Sequence, residues 1–170
     1  MRSKSTEVIV SFLVYVVLQI LVLYRFVLSD VAFAFFYVGF LALLPTNQNV
    51  ITTMTIGFFT GLLIDIFSNT PGIHASASVL FCFVRLSWLN TVIGGRDELQ
   101  RVSVHDFGGS RFLLFIVPLV LLHHSMIFIL ENGSLSPFFL IFRRILWSAA
   151  LSSFLVLTSN FLLTNKQRRL

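Results

Sequence analysis

The chain has 170 residues, 56% of them hydrophobic and 11% charged, with a mean hydropathy of +0.92 and a net charge of +5. Soluble domains carry roughly 25% charged residues, so too few charges are present to cover a water-facing surface, and lipid must be the solvent for most of the chain. The basic residues lie at the chain ends and in one loop, which orients a membrane protein rather than making a nucleic-acid patch.

Six membrane spans are expected in chain order. The first runs from Glu7 to Leu28. It is too long and bulky for a secretory signal and has no small-residue cleavage site after it, so it is expected to be retained. The second, Val31 to Leu44, has about 14 residues and would reach only ~21 Å as a helix, against a ~30 Å hydrocarbon core. The remaining four are Val50–Ser68, Ile73–Val92, Phe112–Leu130 and Phe138–Thr164. Arg2, Lys4, Lys166, Arg168 and Arg169 at the ends share one side with Arg96, Arg101 and Arg111 if the span count is six. The positive-inside rule then makes both termini and the 94–111 loop cytoplasmic. The whole chain, 1–170, reads as a single polytopic domain. In the loop, Asp97 and Arg101 are four apart and suit a short surface helix, either a solvated connector or a docking site. The single cysteine, Cys82, excludes an intrachain disulfide.

Charges inside a membrane need a partner or a water-filled cavity. Thr53, Gly57, Gly61 and Asp65 are spaced by four and share one stripe of the third span. Gly57 and Gly61 allow a neighbouring backbone to approach closely, and Ala75, Ser76, Ala77 and Ser78 offer a small face on the fourth. The expectation is a tight pair of spans, with Asp65 near His74 and bonded to the free N–H groups that open the fourth span. A ligand, proton-handling or partner-contact role for Asp65 remains open. Arg143 and Arg144 interrupt the sixth span on the side the positive-inside rule disfavours. An internal salt bridge to Glu131 or Asp65 is expected, with contact to another protein as the alternative. Arg85 should snorkel or bond carbonyls. His123 and His124 are adjacent, so they point about 100° apart and chelate poorly; hydrogen bonds between spans are expected instead. No metal, cofactor or catalytic motif is expected.

Gly57, Gly61, Asp65, Ser68, Pro71, Gly72, His74 and Ala75 together resemble the signature of the rod shape-determining MreD family: a glycine-rich helix ending in Asp-x2-Ser, a Pro/Gly turn, and His-Ala opening the next helix. The match is close over 50–92. Many family members place a residue between the Pro and the Gly, and this chain does not. The resemblance implies an all-α integral membrane protein of six helices, similar in fold to the substrate-binding subunits of energy-coupling-factor transporters. It implies a non-catalytic scaffold of the bacterial inner membrane, part of the cell-elongation machinery. Its partner would be a single-span MreC-like protein, linked onward to the MreB filament and to RodA with its penicillin-binding protein. Phe33, Phe35, Phe36 and Phe40 would offer a surface to that partner or to lipid. The competing reading is a solute-binding transporter subunit working near Asp65, His74 and the two arginines. Such subunits typically dock through an Ala-x3-Ala face on the first helix, and residues 8–24 contain no alanine.

Overall fold

The computed structural model describes residues 4–23, 26–93, 102–103, 108–133 and 136–167. The expected short helix after Gly94 lies outside the described residues, as do Arg2, Arg168 and Arg169 of the basic chain ends. Helix α1 starts at Lys4–Phe12 and continues through two wider π-helical turns, Leu13–Val17 and Gln19–Leu23. Strands β1 (Val27–Leu28) and β2 (Ala32–Phe33) form an antiparallel hairpin. A short helix α2 (Val38–Ala42) follows, then four long helices: α3 (Val50–Ser68), α4 (Ile73–Ile93), α5 (Gly109–Asn132) and α6 (Phe138–Gln167). These four contain stretches long and apolar enough to cross a membrane, and Val8–Leu23 is a shorter apolar helix. The chain is an α-helical membrane protein.

Local chemistry sets the helix ends. The Asn49 side chain accepts a bond from the Thr52 N–H at 2.7 Å and opens α3. Asn69, at φ 56°, closes it in the left-handed conformation, and Gly72, at φ 84°, completes the turn into α4. Pro118 lies inside α5 and cannot donate to the carbonyl four residues back. The Trp88 indole N–H of α4 reaches the Leu114 carbonyl oxygen that Pro118 leaves without its helical donor, and the Phe115 carbonyl oxygen beside it, 3.2 Å from each.

Two expectations about the start of the chain are corrected. The first helix is described as far as Leu23, Phe26 is no longer helical, and Val27–Leu28 is strand. The second segment is not a 14-residue helix. Ala32–Phe33 is strand, Ala34 and Phe35 continue it outside any helix, and only Val38–Ala42 is helical. An extended residue advances about 3.3 Å against 1.5 Å in a helix, so the segment reaches further than its residue count allows a helix. Phe33, Phe35, Phe36 and Phe40 therefore do not form an outward face. Phe36 and Phe40 are buried, Phe36 against Tyr15 (ring centroids 4.6 Å) and Phe40 against Phe12 (5.4 Å). Phe33 and Phe35 are half-buried between α5 and α6.

Candidate functional site

Asp65 is where the expected clamp closes. Its Oδ1 accepts from the His74 N–H and the Thr70 hydroxyl, and its Oδ2 accepts from the Ala75 N–H, each at 2.9 Å. One buried carboxylate thus caps the first turn of α4 from the last turn of α3, where free N–H groups and the helix dipole favour negative charge. The glycine stripe makes this reach possible. A Cβ on Gly61 would lie 2.4 Å from the His74 carbonyl oxygen, and one on Gly57 would lie 2.7 Å from Cys82 Sγ and 3.0 Å from the Ser78 carbonyl oxygen. Helices α3 and α4 form the most extensive helix pair among the described residues. Ser68 ends α3, and Pro71 and Gly72 make the turn.

The His74 ring leads inward. Its Nδ1 lies 3.1 Å from the Tyr37 hydroxyl, which is 2.7 Å from His123 Nε2. The hydroxyl has one proton for two ring nitrogens, so it donates to one and accepts from the other. His123 Nδ1 is buried without a partner. A bare lone pair there costs less than an orphaned N–H, so His123 carries its proton on Nε2 and donates to Tyr37, and Tyr37 donates to His74. His124 faces another way. The Phe35 N–H donates to Ser152 Oγ at 3.0 Å, and the Ser152 hydroxyl donates to His124 Nε2 at 3.1 Å. That leaves the His124 proton on Nδ1, bonded to the Val120 carbonyl at 2.8 Å. As expected, the two histidines bond to different segments.

These contacts belong to a larger pattern that the sequence did not expose. Non-helical backbone is tolerated at membrane depth only where protein satisfies it, and helices from across the bundle contribute here. The Phe33 N–H donates to Ser148 Oγ at 2.9 Å, beside the Phe35–Ser152 bond. Alternate residues of an extended chain are about 6.6 Å apart, and residues four apart on a helix are about 6 Å apart along its axis. A serine pair at that spacing on α6 therefore works as a ladder for alternate N–H groups. The Phe36 N–H donates to Gln19 Oε1 of α1 at 2.5 Å. Arg85 of α4 is fully buried and donates from Nε to the Ala42 carbonyl at 3.0 Å and from Nη2 to the Leu44 carbonyl. It bonds carbonyls rather than snorkelling. Gly39 lets α2 wedge between α1 and α6: a Cβ there would lie 2.4 Å from the Tyr15 ring and 3.0 Å from Val156. Of this cradle, Arg85 was expected to bond carbonyls, whereas Gln19, Ser148 and Ser152 stood in the sequence only as isolated polar residues in apolar helices.

The expected salt bridge is corrected. Asp65 is committed to α4, and among the described residues neither Arg143 nor Arg144 pairs with it or with the exposed Glu131. The Arg144 guanidinium instead lies over the Phe33 ring, 5.7 Å from its centroid, a cation–π contact. Arg143 is exposed and lines an open groove of about 390 Å³ with Leu28, Ser29, Val31, Ala32 and Trp147. A second groove of about 420 Å³, lined by Phe12, Phe40, Ile56, Phe59 and Leu63 with Thr55 and Thr60, opens beside α3. Among the described residues, no three His, Cys, Asp or Glu side chains are placed to share a metal ion. In comparison with known proteins, no family model, curated protein or solved structure matches the chain.

Proposed function

We propose that the protein is a non-catalytic membrane scaffold, of the kind the MreD family supplies to the bacterial elongation complex, and that it holds a single-span MreC-like partner. The observation that carries this reading is the commitment of the motif's acid: both Asp65 oxygens accept bonds that join α3 to α4. The residues that carry the resemblance thus act on the chain's own hairpin, and what they shape for a partner is its outer surface. Such a scaffold would lie in the inner membrane with both termini cytoplasmic, and would bear on the MreB filament and the RodA–penicillin-binding protein pair only through its partner. Affinity purification of the full chain from its own membranes tests the proposal. The expected result is co-purification of a periplasmic protein with one span and a coiled coil, and loss of rod shape on depletion. Recovery of no such partner, with cell shape unchanged on depletion, refutes it.

The groove beside Arg143 favours a second reading, a transporter subunit that captures a small anionic solute, because a cation and an indole line one concavity. Tight binding of a vitamin-like solute by the purified protein would reverse the order of the two.

A further inference from the structure

We propose that the groove between the β1–β2 hairpin and α6 binds the phosphate of an anionic membrane lipid, with Arg143 as its ligand. Arg143 is the sixth residue of α6, so it lies about 7.5 Å along the axis from Phe138, within the stretch of α6 apolar enough to span a membrane. It is exposed there and has no ion-pair partner among the described residues. An outward-facing charge at that depth is costly without a counter-charge. Asp65 is spent on α4, and neither Glu131 nor Asp30 pairs with Arg143. Among the described residues no carboxylate supplies the counter-charge, which leaves that place to a group brought to the groove from elsewhere.

Two sources exist in a membrane, a lipid phosphate and an acidic group of a neighbouring protein, and the groove's shape favours the lipid. Its wall on α6 runs from Arg143 to Trp147, about 6 Å or one helical turn. A docked helix about 10 Å across would need contact over several turns, whereas about 390 Å³ suits a headgroup. The groove is flanked on α6 by exposed apolar side chains, Phe139, Phe142 and Leu146, along which an acyl chain can lie. Trp147, one turn further along α6, is 61% exposed and lines the same groove with its indole ring, an amphipathic surface beside the arginine. The opposite wall is the hairpin turn, where Ser29 (φ 54°) and Asp30 (φ 58°) are both left-handed, as a tight hairpin turn demands. Ser29 lines the groove and adds a hydroxyl. The neighbouring arginine holds this wall in place, since Arg144 stacks on Phe33 of β2. Adjacent arginines thus divide the work: Arg144 fixes the hairpin, and Arg143 is left for the phosphate. This inference does not rest on the scaffold reading.

Native mass spectrometry of the full-length protein, released from detergent with equal amounts of phosphatidylglycerol and phosphatidylcholine, tests it. Wild type should retain phosphatidylglycerol preferentially. Arg143→Gln should weaken that retention about tenfold, the worth of one charge-assisted hydrogen bond. Arg143→Lys, which keeps the charge but not the fork, should fall between. Arg111→Gln, at the opposite end of the bundle, should change nothing. Equal retention of the two lipids by wild type overturns the proposal without recourse to any variant. So does unchanged selectivity in Arg143→Gln. Displacement of bound lipid by millimolar inorganic phosphate would assign the groove to a free anion. Loss of a co-purifying protein from Arg143→Gln, with lipid selectivity intact, would assign it to a protein contact. Either result overturns the lipid assignment.

Discussion

Replacing Asp65 by Ala removes the acceptor for two buried backbone N–H groups and one hydroxyl at once. The Thr70 hydroxyl is only partly buried and can turn to another acceptor. The His74 and Ala75 N–H groups cannot, because they open α4 beneath the packed end of α3. Each buried donor left unpaired costs about 1–3 kcal/mol, so Asp65→Ala should destabilise the fold by about 2–6 kcal/mol. Asp65→Asn should cost less but remain clearly destabilising. Its amide keeps one acceptor oxygen and turns an NH2 donor toward an N–H donor. Thr70→Ala should cost at most ~1.5 kcal/mol. Reversible unfolding in mixed micelles, followed by helical circular dichroism, measures all three. If Asp65→Ala unfolds within ~1 kcal/mol of wild type, the carboxylate is not what closes this hairpin. A stable Asp65→Ala protein that had lost its partner would move the residue's role from the fold to the interface.

Gly61→Ala should destabilise more than Gly57→Ala, because its Cβ meets backbone of α4 at 2.4 Å and 2.6 Å. On helix propensity alone both changes would stabilise by about 1 kcal/mol, so the sign of the shift in melting temperature decides. Ser152→Ala should cost more than Ser148→Ala, since it strands both the Phe35 N–H and His124 Nε2; the same unfolding titration should show about 1–3 kcal/mol for each stranded group. Pro118→Ala restores a backbone donor to Leu114 and competes with the Trp88 indole. A double-mutant cycle with Trp88→Phe should therefore show coupling, with the tryptophan worth less in the Pro118→Ala background.

How much of this could be read in advance follows from how local each determinant is. Val50–Ser68 was expected with the bounds that α3 has, and the structure shows both ends set by neighbouring residues: Asn49 caps the start, and an Asn-Thr-Pro-Gly turn follows the end. The Asp65 clamp was legible for the same reason. Its acid, its glycines and the N–H groups it caps fall within 19 residues, from Gly57 to Ala75. The crossing segment was not legible. An apolar run of this length fits a buried helix or a buried extended chain equally well. Ala32, Phe33, Ala34 and Phe35 do alternate small and large, a period of two. What keeps them extended lies 115 and 117 residues away, at Ser148 and Ser152. The arginine pair failed as a salt-bridge expectation for a related reason. Glu131 is close in sequence, but Phe33, held near α6 by that same serine ladder, takes the Arg144 guanidinium.

The extended segment also bears on where function can lie. A chain that passes through a helical bundle without helical hydrogen bonds needs donors and acceptors from its surroundings. Here the interior polar residues supply them: Gln19, Arg85, Ser148 and Ser152 bond its backbone directly, and His74 and His123 bond its tyrosine. Residues that resembled a buried site one by one, an arginine, three histidines and an acid, are in this fold the means of holding an irregular strand and a hairpin inside lipid. Both grooves described above open on the outside of the bundle, one beside Phe59 and one beside Trp147, and both are partly walled by what that strand carries, Phe40 in one and the β1–β2 turn in the other. Loosening the interior cradle should therefore deform the surface that a lipid or a partner meets. A substitution such as Ser152→Ala, remote from either groove lining, is expected to weaken binding at the Arg143 groove while leaving every groove residue in place.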